Sequence, residues 1–245
     1  MTSPSRVAPR VGVAVPAAGE GRRMGGRRKP FLELAGEPVL LHALRPFLSH
    51  PAVVAVRVAL AAEDAADPPR WLAHLDARVG IVPGGATRAA SVRAALDALG
   101  DVDIVLVHDA ARPLVTHAII SRCIAAAANG DGAVAGWPAS DTLKLVDAER
   151  RVQATPDRTQ LWHAQTPQAF TAELLRRAYA AWDGREATDD ATLVERVGGR
   201  VVMVEGAATN LKVTRPEDVA IAEALLAMAA PRPSSQAEAT RDPSG

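Results

Sequence analysis

The chain has 245 residues, which is long enough to bury a sizeable core within one domain. Its 28 basic and 28 acidic side chains balance, so no overall field favours nucleic acid or an anionic membrane as a partner. Aromatic residues make up only 3% of the chain, which argues against a stacking platform for single-stranded nucleic acid.

The cysteine usage and the hydropathy pattern bear on the compartment. Cys123, the single cysteine, lies in an apolar helix-like segment, so we expect a small core residue and no internal disulfide. No uninterrupted run of apolar residues reaches the length of a membrane span, and the first ten residues lack the apolar region of a signal peptide. We therefore expect a cytoplasmic protein without a membrane partner.

Short apolar strands alternate with amphipathic helices along most of the chain. The strands are predicted at residues 11–15, 53–60, 79–82, 104–107, 133–137 and 200–205. The helices are predicted at residues 38–49, 71–75, 88–99, 116–129, 172–182, 191–197 and from 215 onward. This alternation predicts an α/β fold with a mostly parallel sheet covered by helices on both faces. Ligands of such sheets bind beyond the carboxyl ends of the strands.

The pattern changes between residues 139 and 157, a segment that we call the arm. Two short alternating strands, 142–146 and 151–154, are predicted to form an inserted β-hairpin around a polar turn. An isolated hairpin is only marginally stable in water, which favours docking of the arm against a partner subunit. Residues 231–245 lack large apolar side chains, so we expect one domain over residues 1–230 and a disordered tail after it.

The loop after the first strand combines small residues with a cluster of cations. Gly19 and Gly21 allow close approach of the backbone to a ligand, and free N–H groups beside cations suit a polyphosphate. The cations are Arg22, Arg23, Arg27, Arg28 and Lys29. A solvated basic loop is the alternative. The loop has neither a Walker motif nor a dinucleotide fingerprint, because Met24 stands where the third glycine of the latter would be.

Lysine is rare in this chain, since 25 of the 28 basic residues are arginine. Only Lys29, Lys144 and Lys212 are lysine. A compact ammonium is not interchangeable with a guanidinium at a crowded phosphate, so these positions are candidates for function. Chance retention of three lysines is the alternative explanation.

Two further loops that follow strands carry polar groups. Asp109 comes directly after His108 at a strand end, where a carboxylate within a polyphosphate site would hold Mg²⁺; a turn or helix-capping aspartate is the alternative. We assign no general-base role to His108, because a phosphate monoester oxygen can attack without the help of a base. Arg112 suits a bidentate phosphate contact or a surface ion pair. The glycine-rich turn from Gly84 to Ser91 enters a helix and suits a base or ribose.

Seven segments, in this order, resemble the 2-C-methyl-D-erythritol 4-phosphate cytidylyltransferase family of non-mevalonate isoprenoid biosynthesis. The segments are VPAAGEGRRM, PGGATRAASV, VLVHDAARP, DTLK, DRTQLWHAQTPQAF, ATDDA and NLKVTRPEDV. The likeness covers about residues 11–226. It implies a Rossmann-like nucleotidyltransferase fold and transfer of a cytidylyl group from CTP to methylerythritol phosphate, with Mg²⁺ bridging the triphosphate and pyrophosphate leaving.

At matching positions the resemblance implies a role for each candidate residue. Arg23 and Lys29 would stabilise the transition state, and Asp109 would bind the metal. Arg158 and Lys212 would position the substrate phosphate, assisted by Arg112, Thr142 and Thr188. The CTP contacts would be Pro16, Ala17, Ala18, Gly19, Gly21, Gly84 and Ser91. In this family the arm crosses to the second subunit of a homodimer, so Thr142 and Arg158 would complete the partner's site.

The chain departs from the family pattern in two places. Arg28-Lys29-Pro30 stands where Pro-Lys-Gln is common, which changes the approach of the lysine, and Asp190 replaces a frequent glutamate. Two alternatives are open: a ribitol-5-phosphate cytidylyltransferase with the same donor, and a non-catalytic CTP-binding protein that keeps the fold.

Overall fold

The computed structural model describes residues 8–19, 29–130 and 132–229, and only the backbone of Lys29. The strands are β1 (Val11–Pro16), β2 (Glu33–Leu34), β3 (Glu37–Pro38), β4 (Val53–Leu60), β5 (Val79–Pro83), β6 (Ile104–Val107), β7 (Gly132–Pro138), β8 (Leu145–Val146), β9 (Val152–Ala154), β10 (Trp162–Thr171) and β11 (Val201–Glu205). The helices are α1 (Val39–Leu48), α2 (Ala62–Ala66), α3 (Arg70–Ala73), α4 (Arg88–Asp97), α5 (His117–Ala127), α6 (Ala172–Ala180), α7 (Asp190–Arg196) and α8 (Pro216–Ala229). The predicted tail and most of the basic loop, with Gly21 and Arg23, lie outside the described residues.

A seven-stranded sheet forms the centre of the fold, with the strand order β11-β7-β10-β6-β1-β4-β5. β1 runs parallel to both β4 and β6, and β11 runs parallel to β7. β10 runs antiparallel to both of its neighbours. The prediction of a mostly parallel sheet is confirmed, whereas β10 itself was not predicted.

Side-chain alternation along the strands builds a core on each face of the sheet. In β6, Ile104 and Leu106 join one buried cluster, which includes side chains of α1 and α5. Val105 and Val107 join a second cluster, which includes side chains of α4, α6 and α7. Both faces of the sheet are therefore covered, which is why its strands read as continuous apolar runs.

Four helices begin at a residue whose side-chain oxygen caps them. Thr87, Thr116, Thr171 and Asp189 each accept a hydrogen bond from the backbone N–H three residues further on. Such caps satisfy an N–H group that has no partner within the helix, and so they fix where each helix starts.

The path of the chain places a crevice next to β1. After β1 the chain adds β4 and β5 on one side, and then crosses to add β6 on the other side. Parallel sheets bind ligands where the strand order reverses in this way, beyond the carboxyl ends of the strands. The loops after β1, β4, β5 and β6 therefore converge on one region.

The arm forms the predicted hairpin, with shorter strands than expected. β8 and β9 pair with each other as a separate antiparallel sheet. Leu145 and Val152 are each 59% exposed, so the arm has little apolar contact with the rest of the chain.

The position of the cysteine and the hydropathy of the helices bear on two of the expectations from composition. Cys123 is fully buried in the core, as predicted, and burial raises the pKa of its thiol to about 12. Within the described ranges, no helix combines the length and the apolar character that a membrane span requires.

Candidate active site

A cavity of about 790 Å³ lies beyond the carboxyl ends of β1, β4, β5 and β6. We call it the strand-end pocket. Eight of the predicted site residues line it: Pro16, Ala17, Ala18, Gly19, Gly84, Ser91, Asp109 and Lys212. Residues from four separate loops therefore meet at the place where the sheet topology predicts a ligand.

The floor of the pocket is formed where the loops after β1 and β5 touch. The backbone N–H of Gly84 donates to the carbonyl of Leu60 at 2.6 Å. A Cβ atom on Gly84 would lie 2.6 Å from the Cβ of Ala18 and 2.9 Å from Oγ of Ser91. Only glycine fits here, and the backbone is left close to any molecule in the pocket.

Ser91 shapes the glycine-rich turn from within helix α4. Its buried hydroxyl accepts a hydrogen bond from the backbone N–H of Gly85 at 3.1 Å and donates to the carbonyl of Thr87 at 2.9 Å. In this structure the hydroxyl is hydrogen-bonded within the turn itself. Its contact with CTP stays a prediction.

Asp109 is held between two cations at the end of β6. Its Oδ1 accepts a hydrogen bond from Nε of Arg88 at 2.9 Å, and its Oδ2 lies 2.7 Å from Nζ of Lys212. Burial alone would raise the pKa of this carboxyl, but the charges of Arg88 and Lys212 and their hydrogen bonds hold the pKa well below its usual range. The carboxylate is therefore ionised at neutral pH.

Arg88 is a residue of this site that the sequence did not reveal. Besides Asp109 it contacts Asp190, whose Oδ2 lies 2.8 Å from the second guanidinium nitrogen. Asp190 is fully buried and accepts a hydrogen bond from the hydroxyl of Tyr179 at 2.6 Å. Burial alone would lower the pKa of Arg88, yet the two carboxylates raise it above its usual value, so the guanidinium stays charged.

A buried hydrogen-bond chain fixes the backbone of Asp109. Its N–H donates to Oγ1 of Thr166 at 3.0 Å, and Thr166 lies 3.1 Å from Nδ1 of His108. Nε2 of His108 donates to the carbonyl of Arg112 at 3.0 Å, so Nδ1 is left to accept the threonine hydroxyl proton. Burial lowers the pKa of His108 to about 4, and the imidazole is neutral at pH 7. In this structure His108 therefore has a structural role.

The loop before α8 carries Lys212 back to the pocket from a distant part of the chain. The N–H of Val213 donates to the carbonyl of Ala111 at 2.8 Å. Nδ2 of Asn210, which is fully buried, donates to the carbonyl of Thr166 at 2.9 Å. These anchors on both sides of Lys212 explain how a residue 103 positions after Asp109 comes to contact it.

The sequence of the chain is similar to those of known proteins. The model of the IspD family, 2-C-methyl-D-erythritol 4-phosphate cytidylyltransferase, matches residues 11–228. The chain belongs to this family. The 2-C-methyl-D-erythritol 4-phosphate cytidylyltransferase of Aeromonas hydrophila is 48% identical over 215 residues, covering 85% of this chain and 86% of that protein.

Two further IspD relatives bear on the extent and the fold of the chain. The bifunctional enzyme IspD/IspF of Rhodopseudomonas palustris is 48% identical over 227 residues, covering 90% of this chain but 56% of that protein. The chain thus spans little more than half of this bifunctional relative. The crystal structure of the cytidylyltransferase from Thermus thermophilus superposes with a TM-score of 0.73 at 38% identity, covering 89% of this chain and 98% of that one.

Arg112, which the IspD resemblance implies as a substrate contact, is not among the residues that line the pocket. Its guanidinium donates to the carbonyl of Asn210 at 2.7 Å. Burial lowers its pKa, which fits a partly desolvated cation. In this structure Arg112 supports the loop that carries Lys212, and its substrate contact stays a prediction.

Three other predicted IspD site residues also lie away from the pocket lining and are exposed. Thr142 lies on the arm, and Arg158 lies in the short helical turn that follows it, where it donates to the carbonyl of Ser140. Thr188 precedes α7 and contacts the hydroxyl of Thr192 at 3.4 Å. Arg23 and Gly21 fall outside the described residues, as does the side chain of Lys29.

Asp109 is a carboxylate of the pocket lining that can contribute to a metal site. Across the part of the chain that the structure describes, no three His, Cys, Asp or Glu side chains are grouped so as to hold a metal by themselves. Mg²⁺ is commonly held by one or two carboxylates together with substrate phosphates and water. Asp109 is ionised and lines the pocket, so the residues present fit a metal that arrives with a triphosphate.

Proposed function

We propose that this chain transfers a cytidylyl group from CTP to 2-C-methyl-D-erythritol 4-phosphate, which gives 4-diphosphocytidyl-2-C-methyl-D-erythritol and pyrophosphate. The observation that carries the proposal is the ionised Asp109 between Arg88 and Lys212 in the strand-end pocket of an IspD-family chain. The carboxylate suits the metal ion of a metal–triphosphate, and the cations suit its phosphate oxygens, over which the negative charge is spread.

The reaction is an in-line displacement at phosphorus. An oxygen of the acceptor phosphate attacks the α-phosphorus of CTP, and a new P–O bond forms. The bond from the α-phosphorus to the oxygen that bridges it to the β-phosphorus breaks, and pyrophosphate leaves with that oxygen and the electron pair. No general base is needed, since the attacking oxygen carries no proton to remove, and the buried neutral His108 agrees with this.

On the donor side, the floor of the pocket would bind the nucleoside of CTP. Ala17, Ala18 and Gly84 present small side chains and backbone groups, which suits recognition of a base by the main chain. Arg23 and Lys29 would stabilise the negative charge that develops on the transferred and leaving phosphates, because preorganised cations act mainly on the transition state. Mg²⁺ held by Asp109 would neutralise charge on the triphosphate.

On the acceptor side, Lys212 would position the phosphate that attacks. Its side chain is 42% exposed and already lies at the pocket, so it can meet an anion that enters. Arg158, assisted by Arg112, Thr142 and Thr188, would complete the acceptor site.

The arm would supply Thr142 and Arg158 to a second copy of the chain. Both residues are exposed and outside the pocket of their own chain. The exposed Leu145 and Val152 give the arm an apolar surface, and a hairpin of this size gains stability when such a surface is covered. A homodimer in which each arm reaches the other subunit accounts for both observations.

Pyrophosphate release with CTP and Mg²⁺ tests the function, with and without 2-C-methyl-D-erythritol 4-phosphate. We expect release that depends on this acceptor. Release with ribitol 5-phosphate in preference would keep the donor and the mechanism but replace the acceptor. CTP binding without pyrophosphate release with either acceptor would overturn the proposal in favour of a binding protein.

A further inference from the structure

Arg88 touches two carboxylates that belong to distant parts of the chain. Nε contacts Asp109 at the end of β6, and a terminal nitrogen contacts Asp190 in the first turn of α7. A planar guanidinium can make two such contacts at a fixed angle, whereas a single ammonium cannot. Arg88 therefore ties the loop of Asp109 to the start of α7.

The far end of this tie is rigid. Asp190 is fully buried, and its Oδ1 accepts a hydrogen bond from the hydroxyl of Tyr179 at 2.6 Å. The backbone N–H groups of Asp190 and Ala191 donate to Oε1 of Gln168 at 3.1 Å and 3.0 Å. Because Gln168 lies on β10, the central sheet itself fixes Asp190, and Asp190 fixes Arg88.

The two cations on Asp109 differ in their freedom to move. The side chain of Arg88 is 27% exposed and has a second buried carboxylate to hold it, whereas Lys212 is 42% exposed. An anion or a metal that enters the pocket therefore displaces Lys212 from Oδ2 more easily than it displaces Arg88 from Oδ1.

We propose that Arg88 is a positioning residue, which is anchored by Asp190 and holds Oδ1 of Asp109 so that Oδ2 stays available to the metal of the bound nucleotide. This inference rests on the proposed function, because it concerns Mg²⁺ and CTP. Arg88 acts through Asp109 and makes no direct contact with the triphosphate, since its charge is already balanced by two carboxylates. Partners that orient a metal ligand typically change metal affinity by about 10- to 100-fold when they are altered.

Arg88→Lys is the decisive variant, because it keeps the positive charge and loses the two-carboxylate geometry. The matched control is Arg93→Gln, an exposed arginine on the same helix that is not among the pocket-lining residues. CTP binding is measured by calorimetry at several Mg²⁺ concentrations and without Mg²⁺, in the absence of acceptor. The Mg²⁺ dependence of pyrophosphate release is measured in parallel.

We expect Arg88→Lys to raise the Mg²⁺ concentration needed for half-maximal CTP binding by about 10-fold or more. CTP affinity without Mg²⁺ should stay within about twofold of the parent protein, and Arg93→Gln should match the parent throughout. An equal loss of CTP affinity with and without Mg²⁺ would overturn the proposal, because it would mean that Arg88 binds the triphosphate directly. Unchanged Mg²⁺ dependence in Arg88→Lys would overturn it as well.

Arg88→Gln leaves the buried carboxylate of Asp190 without its cation, which destabilises the fold. The double variant Arg88→Gln with Asp190→Asn removes both charges of the pair and tests the same point. It should show the raised Mg²⁺ requirement, and normal Mg²⁺ dependence in it would count against the proposal. Because CTP binding is measured without acceptor, failure of the proposed reaction is seen separately, as pyrophosphate release that ignores the acceptor.

Discussion

The strand-end pocket and the arm differ in where their side chains find partners. In the pocket, Asp109 is buried between two cations, and Ser91 is hydrogen-bonded within its own turn. In the arm, Leu145 and Val152 are mostly exposed. The polar groups of the pocket therefore have partners within the chain, whereas these apolar side chains of the arm remain exposed.

The contrast follows from what each region packs against. The pocket loops leave strands that are buried on both faces, so the positions of their first residues are fixed by the core. The arm leaves the sheet and pairs only with itself. We expect changes in the pocket to alter chemistry with little change in assembly, and changes in the arm to alter assembly first. Two variants of the proposed site and one of the arm test this contrast, and a further variant tests the stability of the helix that enters the pocket.

The largest expected effect is that of Lys29→Ala, which removes a cation from the proposed reaction. Loss of one preorganised cation should lower kcat by about 10²–10³. Steady-state rates at saturating CTP and acceptor measure this, and the exposed Arg70→Ala serves as a control away from the pocket lining. An unchanged kcat would remove Lys29 from the mechanism.

On the arm side, Leu145→Asp combined with Val152→Asp should dissociate the proposed dimer. Each side chain would contribute about 1.5–3 kcal/mol when buried, so the dissociation constant should rise by at least about 100-fold. Sedimentation velocity measures the assembly, and calorimetry should show that CTP still binds. The control is Glu149→Ala in the polar turn of the arm. A dimer that survives both aspartates would mean that the arm is not the interface.

Lys212→Ala should reduce the use of the acceptor more than the binding of CTP. Loss of a hydrogen bond from a charged group is expected to lower kcat/KM for methylerythritol phosphate by about 10- to 100-fold. Arg215→Ala, a nearby exposed cation outside the pocket lining, should leave this value unchanged. A selective loss of CTP affinity in Lys212→Ala would contradict the acceptor role.

The smallest expected effect is that of Thr87→Ala, which removes the cap of α4. The free energy of unfolding should fall by about 1 kcal/mol, and Thr87→Ser should restore most of it. Urea titration of the three proteins measures the difference. Equal stability of the serine and alanine variants would show that the cap contributes little.

The fold class could be read from the sequence because strands such as β1 and β6 are continuous apolar runs with helices between them. β10 escaped prediction because three of its six buried side chains are polar. Gln165, Thr166 and Gln168 are each less than 6% exposed, yet their partners come from distant segments. These polar side chains form hydrogen bonds with Ala207, Asp109 and Asp189. The hydrophobic pattern of the strand itself cannot predict those partners.

The pocket was located from the loops that follow strands, but Arg88 was missed. Its partners lie 21 and 102 positions away, and it is one arginine among 25. One local signal was present, since a cation at the first position of α4 opposes the helix dipole. Such a placement indicates that the charge serves a neighbouring carboxylate rather than the helix.

The contact between Ala18 and Gly84 has a consequence for inhibition. A molecule that lies on the floor of the pocket would touch mainly the backbone, the Cα hydrogens of glycine and the methyl group of alanine. A larger side chain at Gly84 collides with Ala18, whose Cβ would lie 2.6 Å away, so substitutions that reshape this floor also deform it. Drug resistance arising at these contacts would therefore also impair the proposed nucleotide site.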